Sequence, residues 1–168
     1  MTHSPQEALD RMGGLVGQLQ DTMKESMRAD EALRRSRPTA DRELESALSH
    51  PEQSMDFARI RRLVLILGAN PSAPKHARMG SPTLLMDALG ANLPFEALRP
   101  MLEATTASDA KRIDAMGWNL AHFAQFHTDA RVATTFGQDP KFRPLLSQTD
   151  AHGRLPRIRY AAPAQDAN

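Results

Sequence analysis

Glycine recurs at Gly80, Gly117 and Gly153, 37 and then 36 residues apart, and each time it opens a similar short phrase: GSPTLLMDA, GWNLAHFAQ and GRLPRIRY. Asp114 and Asp150 precede the second and third of these glycines by three residues. Self-similarity at a period of a few tens of residues points to a stack of repeated units, each too small to bury its apolar face without a neighbour. A chain built this way offers an extended binding surface more readily than an enclosed catalytic pocket.

The 168 residues have room for one domain, or for a compact domain with an appended segment. Apolar residues make up 40% and aromatics only 5%, so the core must come mainly from Leu, Ala, Met and Val, which suits close-packed helices. The absence of cysteine excludes disulfides, thiolate catalysis and Cys-ligated zinc, and is compatible with a reducing cytoplasm. Twenty-one basic against twenty acidic residues leave a formal charge of +1, which argues against nucleic acid or an anionic membrane as the main partner. The longest aliphatic run, Leu63 to Leu67, is too short to span a bilayer, and the polar start does not read as a signal peptide.

The first forty residues form a segment of their own. Leu9, Met12, Val16, Leu19, Met23 and Met27, spaced 3, 4, 3, 4 and 4, align along one face of a helix that Ser4 and Pro5 would cap and open. Gly13 and Gly14 weaken that helix. The apolar stripe favours a helix folded onto the rest of the chain. A short self-associating coil and a mobile segment ordered by a partner are the alternatives. Arg34-Arg35-Ser36-Arg37-Pro38-Thr39 reads as a helix end and linker, because Pro38 cannot continue a helix.

From Asp41 the pattern becomes pairs of helices. Asp41 to Leu48 and Met55 to Leu67 form one pair, the second carrying a core stripe of Phe57, Ile60, Leu63, Val64 and Leu67. Gly68 and Pro71 stop it. Helices follow near Pro82 to Leu89, over Phe95 to Ala104 and near Leu120 to Phe126. In the less regular Thr128 to Ser147, Phe142, Leu145 and Leu146 suggest an outer helix, and Gly137 to Pro140 an insertion turn. The expected division is 1–40 as helical extension and linker, 41–160 as repeat domain and 161–168 as a frayed tail.

The repeats resemble those of the ankyrin family, a unit of about 33 residues with a turn, two antiparallel helices and an Asp-x-x-Gly-x-Thr-Pro-Leu-His-x-Ala phrase. Asp114, Gly117, His122 and Ala124 match that phrase in one unit, Gly80, Leu84 and Ala88 in the preceding one, and Asp150, Gly153 and Pro156 in a truncated last one. Gly68-Ala69-Asn70-Pro71-Ser72-Ala73 is similar to the phrase that ends an ankyrin outer helix. Departures are Ala77 for Asp, Asn119-Leu120 for Thr-Pro, and periods longer than 33. The resemblance covers about Asp41 to Ile158. It implies an all-α, ankyrin-like stack of about three units with short finger turns, and a structural, hydrogen-bonded role for His122.

The resemblance also implies a surface. Trp118, the only tryptophan, follows the glycine of a finger turn, where it either recognises a partner or packs against a neighbouring loop. In the same register Arg78, Met79, Ser81, Met116, His152 and Arg154 line the finger tips, and Leu89, Phe126 and His127 face the groove. Arg154, Arg157 and Arg159 form a small basic patch, either solvated or suited to an acidic partner. No phosphate loop, nucleophile elbow or His-Glu-x-x-His stretch is present, so no catalytic residue, cofactor or metal is expected. The resulting expectation is a non-enzymatic cytoplasmic module that binds a protein partner through its concave face, as a monomer or partner-bound heteromer. An immunity protein or antitoxin masking a toxin fits this reading. The alternatives are a secreted bacterial effector and, more remotely, an enzyme with a dispersed acidic and histidine site. Seventeen Arg against four Lys, with abundant Ala, accord with a bacterial coding sequence.

Overall fold

Proline at position 38 does not end the first helix. In the computed structural model α1 runs from Pro5 to Leu48 as one 44-residue helix, so the linker expected over Arg34 to Thr39 is instead helical and the expected boundary at residue 40 falls inside it. Pro38 removes a backbone hydrogen bond and crowds the preceding turn, at a cost of roughly 3 kcal/mol. The turns beyond it offset this cost. Ala40, Leu44 and Ala47, spaced 4 and 3, are buried in the core against α2 (Phe57–Leu65). The structure describes residues 5–50, 54–76 and 80–158, and within α1 it does not describe the side chains of 5–13, 30, 33 and 34. The expected cap at Ser4 and the expected frayed tail 161–168 lie outside the described residues.

The remaining helices are short. They are α3 (Leu84–Gly90), α4 (Phe95–Ala104), the single turn α5 (Ala107–Ala110), α6 (Leu120–Ala124) and α7 (Ala130–Gln138), followed by a 3₁₀ turn over Arg143–Ser147. All regular structure among the described residues is helical, and the fold is all-α. None of these helices is long and apolar enough to cross a membrane. α2 packs on α1 and α4, α3 on α4 and α6, and α7 on α6 and the 3₁₀ turn. The core runs continuously along these contacts, from Leu44 through Ile60, Leu85, Leu98 and Leu120 to Phe136 and Phe142. Phe136 and Phe142 close its far end with rings stacked 4.9 Å apart.

Polar caps decide where the helices begin. Thr83 accepts from the Met86 backbone N–H, so α3 opens at Leu84 and not at Pro82. Asn119, standing where the repeat phrase has Thr, accepts from the N–H groups of Ala121 and His122 and opens α6. The helix expected over Phe95 to Ala104 has those bounds in the structure.

Two expectations are corrected by packing. The α-helix within Thr128 to Ser147 is α7, while the segment after Phe142, expected as an outer helix, forms a 3₁₀ turn. Val132, Ala133 and Phe136 supply its buried stripe, and Gly137, expected in a turn, is helical. Thr134, Thr135 and Gly137 are weak helix formers and hide this helix from a propensity reading. The second correction concerns α1. Its stripe does not fold onto the other helices: Val16, Leu19, Met23 and Met27 are all more than half exposed. Leu9 and Met12 lie outside the described side chains.

The recurring glycines sit in three turns with φ of 76° at Gly80, 73° at Gly117 and 75° at Gly153, a region that side chains disfavour. Successive turns are stapled by backbone. The Ala115 N–H donates to the Gly80 carbonyl at 2.8 Å, and the Ala151 N–H to the Met116 carbonyl at 3.1 Å. Gly117 answers to a second constraint, since a Cβ there would lie 2.7 Å from the Ala151 nitrogen.

Candidate functional site

The Asp114 turn sets the base of the site. One carboxylate oxygen accepts from the N–H groups of Met116 at 2.8 Å and Trp118 at 2.9 Å, so the backbone that carries the indole is fixed before any side-chain packing begins. Residues 118, 122 and 126 are then spaced by four, which places them on one side of α6 and its approaches. The Trp118 ring stacks on His122 (6.1 Å, 20°) and Phe126 (5.8 Å, 27°) and meets the edge of Phe123 (5.4 Å, 75°). Such contacts contribute about 0.5–1.5 kcal/mol each beyond the area they bury.

The next turn clamps this aromatic group. Asp150, buried at the turn, accepts from the Trp118 Nε1–H at 3.1 Å and the Arg154 Nε–H at 2.8 Å on one oxygen. Its other oxygen accepts from the backbone N–H groups of His152 and Arg154, both at 2.9 Å. Burial alone would raise the Asp150 carboxyl. The Arg154 N–H and guanidinium, the His152 N–H and the indole outweigh it and hold the group well below the usual carboxylate range. His122 donates its Nε2–H to the Arg154 carbonyl at 3.0 Å, and its Nδ1 accepts from the Asn119 N–H at 3.3 Å. The Gln125 side-chain oxygen accepts from the Arg157 N–H at 3.0 Å. Each of these three bridges, 118 to 150, 122 to 154 and 125 to 157, joins residues 32 apart.

Between the aromatic group and the last turn lies an open groove of about 770 Å³, lined by Trp118, His122, Phe126, Arg154, Leu155 and Arg157 among others. Phe126 and Leu155 are 54% and 51% exposed, an apolar pair at the groove wall. Its carboxylate and its histidine are both fully bonded inside the fold. The groove therefore presents carbon, guanidinium and the Gln125 side-chain amide to a ligand. Among the described residues no three His, Asp or Glu side chains gather as a metal ion would require.

The surface residues expected from sequence divide into three groups. Trp118, Phe126 and Arg154 meet in the groove. Met116 and His152 are exposed and Ser81 is half-buried, all outside the groove lining. Leu89 and His127 are not where expected. Leu89 is fully buried, because α3 lies between α4 and α6 and carries four further buried residues, leaving no groove side there. His127 is half-buried with both nitrogens bonded, its Nε2–H to the Leu93 carbonyl at 2.8 Å and its Nδ1 to the Asp129 N–H at 3.1 Å. It lines a separate concavity of about 450 Å³ on the α7 side of Phe126. Arg78 and Met79 lie outside the described residues. Sequence reasoning missed Leu155 and the Asp150 clamp. The signal for the clamp was present, since Asp150 opens the turn one unit after the turn of Trp118.

A second exposed cluster ties α4 to α7. Arg131 donates to Glu96 at 2.8 Å and Asp129 at 2.7 Å, and its guanidinium lies 4.6 Å over the Phe95 ring. The hydrogen bonds from Arg131 hold both carboxyls below their ordinary range, though such exposed pairs contribute little to stability. No family model matches the sequence, and no curated protein or solved structure gives a significant match.

Proposed function

We propose that this chain is a non-catalytic protein-binding module, a short stack of ankyrin-like helical units that receives a protein partner on the Trp118–Phe126 shelf. The observation that carries the reading is the exposed Phe126 ring, stacked on an indole whose polar edge is already bonded to Asp150. An aromatic held this firmly loses little conformational entropy on contact, and Trp and Arg anchors of this kind dominate binding hot spots. The ankyrin part of the reading is supported by the three positive-φ glycines, the Asp114 and Asp150 turns, and bridges that repeat at one offset. Arg154 and Arg157 at the rim favour a partner that sets acidic residues around an apolar knob. Masking of a toxin by an immunity protein or antitoxin is one task that such a surface would perform.

The test compares wild type with a Phe126→Ala, Leu155→Ala variant as bait in lysate of the source cell, with captured proteins quantified by mass spectrometry. The expected result is a protein enriched at least tenfold by wild type and lost with the variant, which stays folded with a melting temperature lowered by about 2–6 °C. Equal capture by both baits contradicts the assigned surface.

A further inference from the structure

We infer that α1 pairs antiparallel with the α1 of a second copy of this chain, along the stripe that contains Val16, Leu19 and Met23. This surface is separate from the Trp118 shelf, and the inference stands without the proposed function. Leu15, Val16, Leu19, Met23 and Met27 are 59, 52, 66, 65 and 68% exposed. Only Ala40, Leu44 and Ala47, near the other end of α1, are buried among its described side chains. Val16 and Met23 take heptad position a and Leu19 position d, and the sequence carries the register back to Leu9 and Met12.

The flanks of the stripe point to a second copy as its occupant. Leu15, Gln20, Thr22, Met27 and Ala29, at positions e and g, carry no charge. Asp10, Arg11, Asp21, Lys24, Glu25 and Arg28 all fall at b, c or f, away from the seam. Over residues 5–30, which the antiparallel pairing overlaps, five acids stand against three bases, all but Asp30 at b, c or f, where solvent and salt screen them. The five exposed side chains offer on the order of 500 Å² per copy, and two copies reach the roughly 1,000 Å² at which specific interfaces begin. Gly13, Gly14 and Gly17 weaken the helix, and a Cβ at Gly14 or Gly17 would meet nothing within 4 Å, so no described residue packs against the helix there.

The same register sets the direction. A parallel pair would oppose Asp30 to Asp30 and Arg37 to Arg37 at position a. An antiparallel pair centred between Gly17 and Gln18 sets Val16 against Leu19 and Met23 against Met12 of the other copy. Asp30 then falls at the edge of the overlap, opposite Pro5, and the folded helices from Ala40 onward lie outside it.

Sedimentation of the full chain over a graded concentration series tests the pairing. The expected mass rises to twice the 18.6 kDa of one chain, and a Leu19→Glu, Met23→Glu variant stays at the single-chain mass with the same melting temperature. The chain has no cysteine, so single Met12→Cys and Met23→Cys variants read the direction without background. Mixed and mildly oxidised, they should form a disulfide between the two different variants, and neither should link to itself. That readout needs no disruption of the helix. A single-chain mass throughout, whether α1 folds back or waits for another protein, overturns the inference. So does a dimer that survives the Glu variant, or one that links Met23→Cys to itself.

Discussion

The two exposed apolar surfaces of this molecule are held in opposite ways. The shelf at Trp118 and Phe126 is braced from below by the Asp114 turn, from the side by Asp150 and Arg154, and from behind by the bonded ring of His122. The stripe on α1 is braced by no described residue outside its own helix, and that helix is weakened by glycine where the apolar residues begin. One surface is formed before any partner arrives. The other depends on one. Exposed apolar area alone does not distinguish them; the polar groups beneath it do.

Glycine substitutions break or sharpen this contrast most strongly. Gly117→Ala forces a methyl to within 2.7 Å of the Ala151 nitrogen at a φ of 73°, and should cost about 3 kcal/mol in urea unfolding. Gly153→Ala shares the positive φ but meets no atom within 4 Å, so about 1 kcal/mol is expected. Gly14→Ala, helical and open, should instead raise helicity without lowering the unfolding midpoint. Equal losses at 117 and 14 would erase the distinction between the regions.

Asp150→Asn sharpens it through pH. The folded carboxyl lies below its unfolded value, so its stabilisation is present above about pH 4 and fades as the pH falls through the folded value. The melting-temperature gap between wild type and Asp150→Asn should therefore hold from neutral pH to about 4 and narrow below. A gap that widens in acid contradicts the clamp. Phe126→Ala is smaller for the fold, about 1 kcal/mol from the lost stack, while abolishing partner capture. The smallest effect belongs to Leu19→Glu with Met23→Glu, within about 0.5 kcal/mol for the folded body.

The turns were legible in the sequence because positive φ leaves few residue choices, and glycine at 80, 117 and 153 announces them. The bounds of α4 were legible too, and so was the bonded role of His122, from the resemblance to the ankyrin phrase. What escaped depended on tertiary contacts. Burial of Ala40, Leu44 and Ala47 carries α1 past Pro38, and no local rule anticipates that. α7 persists through two threonines and a glycine because Val132 and Phe136 reach the core. Leu89 is buried because helices pack on both sides of α3, a fact about neighbours and not about its own face.

Hydrogen exchange on the full chain, followed by mass spectrometry at graded protein concentrations, tests the contrast most directly. Amides at 116–118 and 150–154 should be protected to the same degree at every concentration, and those of 15–27 should become protected only as concentration rises. Strong protection of 15–27 in dilute protein, or exchange at 116–118 and 150–154 as fast as in an unfolded chain, would contradict the account.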